Sequence, residues 1–207
     1  QEEQDSLKDI EVEWMLGAHF SSVLKGKDLV CLSGGIPLNL PLVRDAQRRK
    51  IPLSNDTQIF LEAAPCRTIG ITGSAGKTTT TTLVGRMAIE AYRKSTNKVW
   101  IGGNIGDPLI NYVDQMKKDD LAILEISSFQ LDQMTLSTDI AAVLNVTPNH
   151  LDRHGTMAAY TAAKARLLEN QKTGSIAIIG RDDEGAFAMR SLSPGKTLTF
   201  GSKPLRA

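Results

Sequence analysis

The sequence has few cysteines, few aromatic residues and almost no net charge. Its two cysteines, Cys31 and Cys66, form neither a CxxC pair nor a zinc-ligand spacing, which argues against a cysteine-based metal centre. We expect both to be reduced, as in the cytoplasm. Lysine and arginine number 24 against 23 aspartates and glutamates, so the net charge of +1 gives no broad attraction to nucleic acid or to an anionic membrane. The expected partners are therefore small molecules.

The chain also lacks a long hydrophobic run. No apolar stretch approaches the roughly 18 residues of a membrane span. The amino-terminal segment, QEEQDSLKDIEVEW, is acidic where a secretory signal is basic and then apolar. The sequence therefore predicts a cytoplasmic protein, and we expect a monomer.

Hydrophobic residues make up 41% of the chain, and they occur in short apolar runs that alternate with longer amphipathic stretches. This alternation is typical of an α/β fold with a mostly parallel sheet and helices on both faces. Strands are predicted at residues 28–35, 50–55, 67–72, 98–103, 121–127, 140–146, 175–180 and 197–201. Helices are predicted at residues 42–50, 56–64, 77–91, 107–118, 156–171 and 182–192.

A domain boundary is predicted near Pro65. Residues 1–64 and residues 65–207 would then belong to two different domains. The first part has only two predicted strands, too few for an independent sheet, and the second ends just after a strand. We therefore expect the chain to be a piece of a longer protein.

The loop after the strand at 67–72 has the pattern of a phosphate-binding loop. It is shorter than GxxxxGK[ST], because Ile71 stands six positions before Lys77. An apolar strand leads into it and a helix leaves it, so backbone N–H groups and the helix dipole would face phosphate oxygens. The alternative is a tight strand-turn-helix corner with a solvated lysine. The predicted nucleotide-binding residues are Gly73, Ser74, Ala75, Gly76, Lys77, Thr78 and Thr79, of which Lys77 would bridge the β- and γ-phosphates and Thr78 would bind Mg²⁺.

Polar residues that directly follow strands are further candidates, because ligands of parallel sheets bind at the carboxyl ends of the strands. Glu125 follows LAIL and could hold the Mg²⁺ of a nucleotide, although a strand-end glutamate can also simply meet solvent. Asn104 lies in a glycine-rich turn and offers a donor and an acceptor. His150 follows another strand, where a histidine is more often structural than a ligand. No role is assigned to the other two histidines, His19 and His154.

Lys164 lies on the apolar face of the helix predicted at 156–171, for which Thr156 is the expected N-cap. The apolar stripe has i, i+3, i+4 spacing and comprises Met157, Tyr160, Thr161, Lys164, Leu167 and Leu168. An inward lysine can snorkel, pair with an acid, or lose its proton and react with CO₂ to form a carbamate. Periodicity supports burial without choosing among these fates.

Five segments occur together in a recognisable order: TGSAGKTTT, GGNIG, LEISSFQL, NVTPNHLDRHG and YTAAKARLLENQ. In this order and spacing they closely resemble the Mur ligase family, and the resemblance runs from about residue 8 to the end. GGNIG and LEISSFQL point to the branch that adds D-glutamate to UDP-N-acetylmuramoyl-L-alanine. The resemblance implies that ATP phosphorylates the substrate carboxylate and that the amine of D-glutamate then attacks the acyl phosphate, in peptidoglycan precursor synthesis.

The resemblance also implies roles for single residues. Lys77, His150 and Lys164 would be catalytic, with Lys164 carbamylated. Two Mg²⁺ sites would be formed by Thr78, Glu125, His150 and Lys164. The substrate would be contacted by Gly34, Gly35, Asn104, Ser127 and Gln130.

The chain departs from the family pattern in two respects. Many relatives carry aspartate directly before the histidine of NVTPNH, where this chain has Asn149, which removes one charge near the second metal. The resemblance further implies that residues 1–64 are part of a Rossmann-like, UDP-substrate-binding domain and residues 65–207 part of a P-loop-type central ATP-binding domain. It also implies that the amino-acid-binding C-terminal domain lies outside the chain. We therefore expect the 207-residue chain to be unable to complete ligation alone.

The sequence is also compatible with three alternative functions. A different Mur ligase or a folylpolyglutamate synthetase-like ligase would share the loop, the metal acid and the lysine. A P-loop module that switches conformation without catalysis is possible in principle, but it has no need of Lys164 beside Glu125. A structural fragment without ligand affinity is the third alternative.

Overall fold

The computed structural model describes residues 10–17 and 20–202. His19 therefore lies outside the described residues. The chain divides into two compact units, one formed by residues up to 30 together with 38–52, and the other by residues 31–37 and 53 onward. The predicted boundary near Pro65 stays a prediction. No helix in the described ranges has the length and apolar character needed to cross a bilayer.

The smaller unit contains a 3-10 turn at Ser21–Leu24 and the helix α1 (Pro41–Arg48). Pro41 begins α1, which suits its fixed φ and missing N–H. The strands predicted at 28–35 and 50–55 are much shorter than expected. They are reduced to the two-residue strands β1 (Val30–Cys31) and β2 (Leu53–Ser54), of which Cys31 and β2 belong to the larger unit.

The larger unit is built on a six-stranded sheet whose described ladders are all parallel. Its strands are β3 (Arg67–Thr72), β4 (Val99–Gly103), β5 (Leu121–Glu125), β6 (Ile140–Val143), β7 (Ile176–Gly180) and β8 (Lys196–Phe200). Their spatial order is β4-β5-β3-β6-β7-β8. The strand that precedes the candidate loop therefore lies inside the sheet, between two strands that come later in the chain.

Helices cover both faces of this sheet, which confirms the predicted α/β class. They are α2 (Asp56–Ala63), α3 (Lys77–Tyr92), α4 (Ser128–Leu131), α5 (Leu151–His154), α6 (Met157–Glu169) and α7 (Glu184–Ala188). One core contains Leu124, Val143 and Ile179 of the strands together with Tyr160 and Leu167 of α6. The other core, on the opposite face, is formed by the cluster Ile71, Ile123, Ala142, Val84 and Ala88, the last two from α3.

Local capping fixes where the helices begin. Asn55 Oδ1 accepts a hydrogen bond from the backbone N–H of Gln58 (2.8 Å) at the start of α2. Thr156 Oγ1 accepts from Ala159 N (3.1 Å) at the start of α6, which confirms the predicted N-cap.

Two predicted helices were wrong in type or length. The helix predicted at 107–118 is a 3-10 segment at Leu109–Gln115. Ile110, Tyr112 and Val113 lie within it, and β-branched and aromatic residues have low α-helix propensity. The helix predicted at 182–192 is only the five-residue α7. The short helices α4 and α5 were not predicted at all.

Candidate functional site

The loop between β3 and α3 is seated on the segment that follows β6. Ser74 N donates to Asn145 O (3.0 Å), and Ala75 N donates to Asn145 Oδ1 (2.9 Å). Gly76 has φ 79° and forms the N-cap of α3, a left-handed conformation that favours glycine. The loop thus adopts one defined shape, and Thr78 and Thr79 are exposed beside the N-terminus of α3.

Glu125, at the carboxyl end of β5, is 2% exposed and lies beside the loop. Its two carboxylate oxygens accept from Thr78 Oγ1 (2.7 Å) and from Asn104 Nδ2 (3.0 Å). The structure thus brings together three residues that the sequence indicated separately. No lysine or arginine in the described ranges forms an ion pair with this carboxylate. A buried carboxylate with only neutral donors, beside a threonine hydroxyl, is a suitable ligand set for a hard cation such as Mg²⁺.

The glycine-rich turn after β4 brings Asn104 to this carboxylate. Gly103 has φ 93°, and a Cβ at this position would lie 2.3 Å from the backbone oxygen of Glu125. Asn104 N donates to the same oxygen (2.8 Å). Glycine is required here because the turn packs directly on the backbone of β5.

Two lysines converge on one carbonyl oxygen. Lys77 Nζ and Lys164 Nζ donate to Gly73 O at 3.1 and 3.0 Å, and Lys164 Nζ also lies 3.4 Å from Thr72 Oγ1. Lys164 is 1% exposed, which confirms that it points inward and excludes snorkelling. Burial, and next the charge of Lys77, lower the pKa of Lys164 from 10.5 to about 7. A large fraction of the Lys164 side chain is therefore neutral near pH 7.

The side chain of Ser74 faces the protein. Its Oγ donates to Thr147 O (2.8 Å) and accepts from Thr147 N (2.9 Å) and from the Tyr160 hydroxyl (3.0 Å). Burial raises the pKa of Tyr160, so the phenol stays protonated and remains a donor. Ser74, predicted to bind nucleotide, therefore joins the loop to α6 through its side chain, and its backbone N–H is bonded to Asn145 O. Its nucleotide-binding role stays a prediction.

His150 is exposed and has φ 52°, and it forms the N-cap of α5. Its ring meets the edge of the Phe129 ring, with centroids 5.2 Å apart. The described residues contain no gathering of three or more His, Cys, Asp or Glu side chains that could hold a metal ion. The structure thus joins Thr78 to Glu125, and Lys77 and Lys164 meet at Gly73 O. No hydrogen bond or ring contact of the described residues links His150 to these groups. Its metal role stays a prediction.

His154, to which the sequence assigned no role, is the centre of a buried cluster. Its side chain is 3% exposed, its Nε2 lies 2.9 Å from Ser128 Oγ, and its Nδ1 lies 3.6 Å from Asp132 Oδ2. Its ring stacks on that of Phe129, with a centroid distance of 5.0 Å and an interplanar angle of 5°. Burial lowers the pKa of His154. Because the one-turn helix α5 was not recognised, the inward position of His154 could not be predicted.

A cavity of about 610 Å³ opens beside these groups within the larger unit. It is lined by all of the predicted substrate residues, namely Gly34, Gly35, Asn104, Ser127 and Gln130. Ser127 and Gln130 form a capping box at the start of α4, in which Gln130 Oε1 accepts from Ser127 N (3.0 Å). Gln130 Nε2 donates to Thr57 Oγ1 (2.8 Å). The structure thus uses both polar side chains for internal hydrogen bonds at the cavity wall.

Comparison with known proteins identifies the family. Residues 71–206 match the Mur ligase middle domain. The chain belongs to the Mur ligase family. Membership confirms the resemblance carried by the five sequence segments, and the Mur ligase family implies the use of ATP.

Two curated relatives in this family show how much of a longer protein the chain represents. The UDP-N-acetylmuramoylalanine--D-glutamate ligase of Koribacter versatilis is 40% identical over 194 residues, covering 93% of this chain and 42% of that protein. The protein of the same name from Pelotomaculum thermopropionicum is 37% identical over 202 residues, covering 97% of this chain and 44% of that protein. The chain thus spans about two fifths of the length of these relatives.

Solved Mur ligase structures share the fold. The UDP-N-acetylmuramate:L-alanyl-gamma-D-glutamyl-meso-diaminopimelate ligase from Neisseria meningitides superposes with a TM-score of 0.54 at 14% identity, over 88% of this chain and 61% of that chain. MurF from Acinetobacter baumannii superposes with a TM-score of 0.51 at 21% identity, over 68% of this chain and 32% of that chain. At such identities the likeness concerns the fold alone.

Proposed function

We propose that the full-length protein carrying this Mur ligase chain joins D-glutamate to UDP-N-acetylmuramoyl-L-alanine with consumption of ATP. The curated relatives that bear this activity in their name are 34–40% identical to the chain. The observation that carries the proposal is the arrangement around the loop, where two lysines meet at Gly73 O and Thr78 meets Glu125. A peptidoglycan precursor ligase acting on small molecules in the cytoplasm fits this arrangement.

The residues present fit a nucleotide and a magnesium ion. Lys77 at the start of α3 would bind the phosphates together with the loop backbone, because the helix N-terminus and the ammonium group both favour negative charge there. Thr78 and Glu125 would hold Mg²⁺, which supplies charge neutralisation at the phosphates when bound.

The proposed reaction has two steps. A carboxylate oxygen of the acceptor attacks the γ-phosphorus of ATP, forming an acyl phosphate and releasing ADP. The amine of D-glutamate then attacks the acyl carbon, giving the amide, inorganic phosphate and a proton. The first step brings two anionic groups together, the carboxylate and the γ-phosphate, so the positive charge of Lys77 and the dipole of α3 lower its barrier by offsetting their repulsion.

Lys164 is proposed to carry a carbamate in the working enzyme. Burial lowers the pKa of its amine to about 7, so a substantial fraction is neutral near pH 7, and the lone pair of the neutral amine can attack CO₂ to form the carbamate with loss of a proton. The carbamate would turn a cationic side chain into an anionic one. With His150, it would then form the second of the two proposed Mg²⁺ sites.

An amino-acid panel tests the proposed function. The full-length protein is mixed with UDP-N-acetylmuramoyl-L-alanine, ATP and Mg²⁺, and ADP release is measured with D-glutamate, L-glutamate, L-alanine, L-lysine or meso-diaminopimelate. We expect ADP release and amide product with D-glutamate alone. Lys77→Ala should abolish both, whereas Lys94→Ala, at an exposed position two residues after α3, should retain both. Amide formation with another amino acid instead, or with a folate acceptor, would assign a different ligase.

A further inference from the structure

Arg153 of α5 reaches from the segment after β6 to a loop near the start of the larger unit. Its Nη2 donates to the carbonyl oxygen of Gly35, which is 118 positions away in the chain. The guanidinium carbon lies 5.2 Å from the centroid of the Phe129 ring. The side chain is thus held between two residues that both line the 610 Å³ cavity.

The described residues that line the cavity include no cation that could pair with an anionic ligand. Of the described residues that line it, Asp56 alone is charged, and it is an anion. Arg153 is exposed, and no carboxylate in the described parts of the chain forms an ion pair with it. A guanidinium group has five N–H donors, and one hydrogen bond to a carbonyl oxygen leaves most of them available.

The available donors suit a phosphate. Arginine binds phosphate oxygens through two parallel, charge-assisted hydrogen bonds, which are stronger than a bond to a neutral carbonyl. Because the guanidinium lies over Phe129 and beside Gly35, its orientation is already restricted, so little conformational freedom is lost on binding. The backbone of Gly34 and Gly35 can approach a ligand closely, because these residues have no side chain.

From this arrangement we infer that Arg153 binds the diphosphate of the nucleotide-sugar acceptor at the Gly34–Gly35 wall of the cavity and thereby determines the preference for acceptors that carry a diphosphate. The inference rests on the proposed function. It extends that function by assigning to α5 a binding residue for the acceptor, separate from the lysines that surround the P-loop.

A kinetic cycle in the full-length protein tests this role. The values of kcat/KM are measured for UDP-N-acetylmuramoyl-L-alanine and for N-acetylmuramoyl-L-alanine, which lacks the diphosphate. Arg153→Ala should lower kcat/KM for the first acceptor roughly 10- to 100-fold, chiefly through KM, because charge-assisted hydrogen bonds are lost. The second acceptor should show less than a threefold change, and KM for ATP should also stay within threefold.

Two further variants distinguish the loss of a specific contact with the diphosphate from a general loss of structure. Arg153→Lys should recover part of the loss, because it keeps the charge but not the planar pair of donors. Arg190→Ala is a matched control, since Arg190 also lies over a phenyl ring (Phe187, 4.6 Å) and donates to a carbonyl oxygen, but its partner Phe187 does not line the cavity, whereas both partners of Arg153 do. It should leave both acceptors unaffected. An equal loss for both acceptors in Arg153→Ala would overturn the inference.

Calorimetric titration with UDP keeps the inference testable if the proposed reaction itself is wrong. Wild-type protein should bind UDP, and Arg153→Ala should bind it at least tenfold more weakly. Unchanged affinity, or no affinity in the folded wild type, would overturn the role of Arg153. Binding of UDP that depends on Arg153, without any amide formation, would contradict the proposed function alone.

Discussion

Lys164 is a cationic side chain in an environment very different from water. It is buried, its Nζ shares Gly73 O with Lys77, and no carboxylate in the described ranges forms an ion pair with it. Folding therefore favours the neutral form, because a buried ammonium group loses hydration and is repelled by Lys77.

The preference of the folded protein for neutral Lys164 should make its stability depend on pH. Lys164 has a pKa of about 7 in the folded protein and about 10.5 when unfolded, so between these values the unfolded chain binds the extra proton. Its contribution to the free energy of unfolding is fully present above pH 10.5 and is lost as the pH falls towards 7. The free energy of unfolding of the wild type minus that of Lys164→Met should thus rise with pH, by up to about 1.4 kcal/mol per pH unit over this window. Urea unfolding in CO₂-free buffer measures it, and a difference that is independent of pH would contradict the burial of the amine.

Asp120 organises the turn that leads into β5. It is 2% exposed and accepts from Lys98 N (2.7 Å), Trp100 Nε1 (2.9 Å) and Lys117 N (3.1 Å). Burial raises the pKa of Asp120, but these hydrogen bonds and the charge of Lys117 outweigh it, and the net pKa is lowered. The carboxylate therefore connects the start of β4 to the turn before β5.

Asp120→Asn should destabilise the protein. The amide has one acceptor oxygen, so at least one buried N–H group loses its partner, and we expect a loss of about 2–4 kcal/mol. Asp119→Asn is the matched control, because Asp119 is exposed in the same turn, and its effect should stay within about 0.5 kcal/mol. The free energy of unfolding in urea at pH 7 measures both. Equal effects would show that the hydrogen bonds of Asp120 contribute little.

The elements that could be predicted from the sequence are those with a strong period or a clear cap. The strand before the loop was predicted with its observed bounds, and the inward position of Lys164 followed from helical spacing on α6. The meeting of Thr78 with Glu125 followed from the rule that ligand groups lie at the carboxyl ends of strands. The helices α4 and α5 could not be predicted, because four residues are too few to show a period. With them, the positions of Phe129, Arg153 and His154 were also missed.

At the scale of the whole molecule, strand order places the candidate site. After β3 the chain crosses to β4 at one edge of the sheet, whereas from β6 it proceeds towards β8 at the other edge. The carboxyl ends of β3 and β6 therefore flank a topological switch point, the usual position of ligand sites in open parallel sheets. The hydrogen bonds from the P-loop to Asn145 lie at this point.

The P-loop, Glu125 and the N-terminus of α3 all belong to the larger unit. We therefore expect the chain itself to bind ATP. Titration calorimetry with ATP and Mg²⁺ should give micromolar affinity, which Lys77→Ala should abolish. Omission of Mg²⁺ should weaken binding, because the Glu125 carboxylate would then face the phosphates without a cation. A folded chain that binds no ATP would show that this arrangement does not suffice for nucleotide binding.

The internal position of β3 has a consequence for protein synthesis. β3 pairs with β5 on one side and with β6 on the other, so Thr72 is translated well before its partner Val143. At typical elongation rates of about 5–20 residues per second, the newly made β3 waits several seconds for both neighbours. During this time an apolar, β-branched segment has unpaired backbone groups, which favours aggregation. The yield of folded protein should therefore depend on how fast the ribosome translates the codons between β3 and β6.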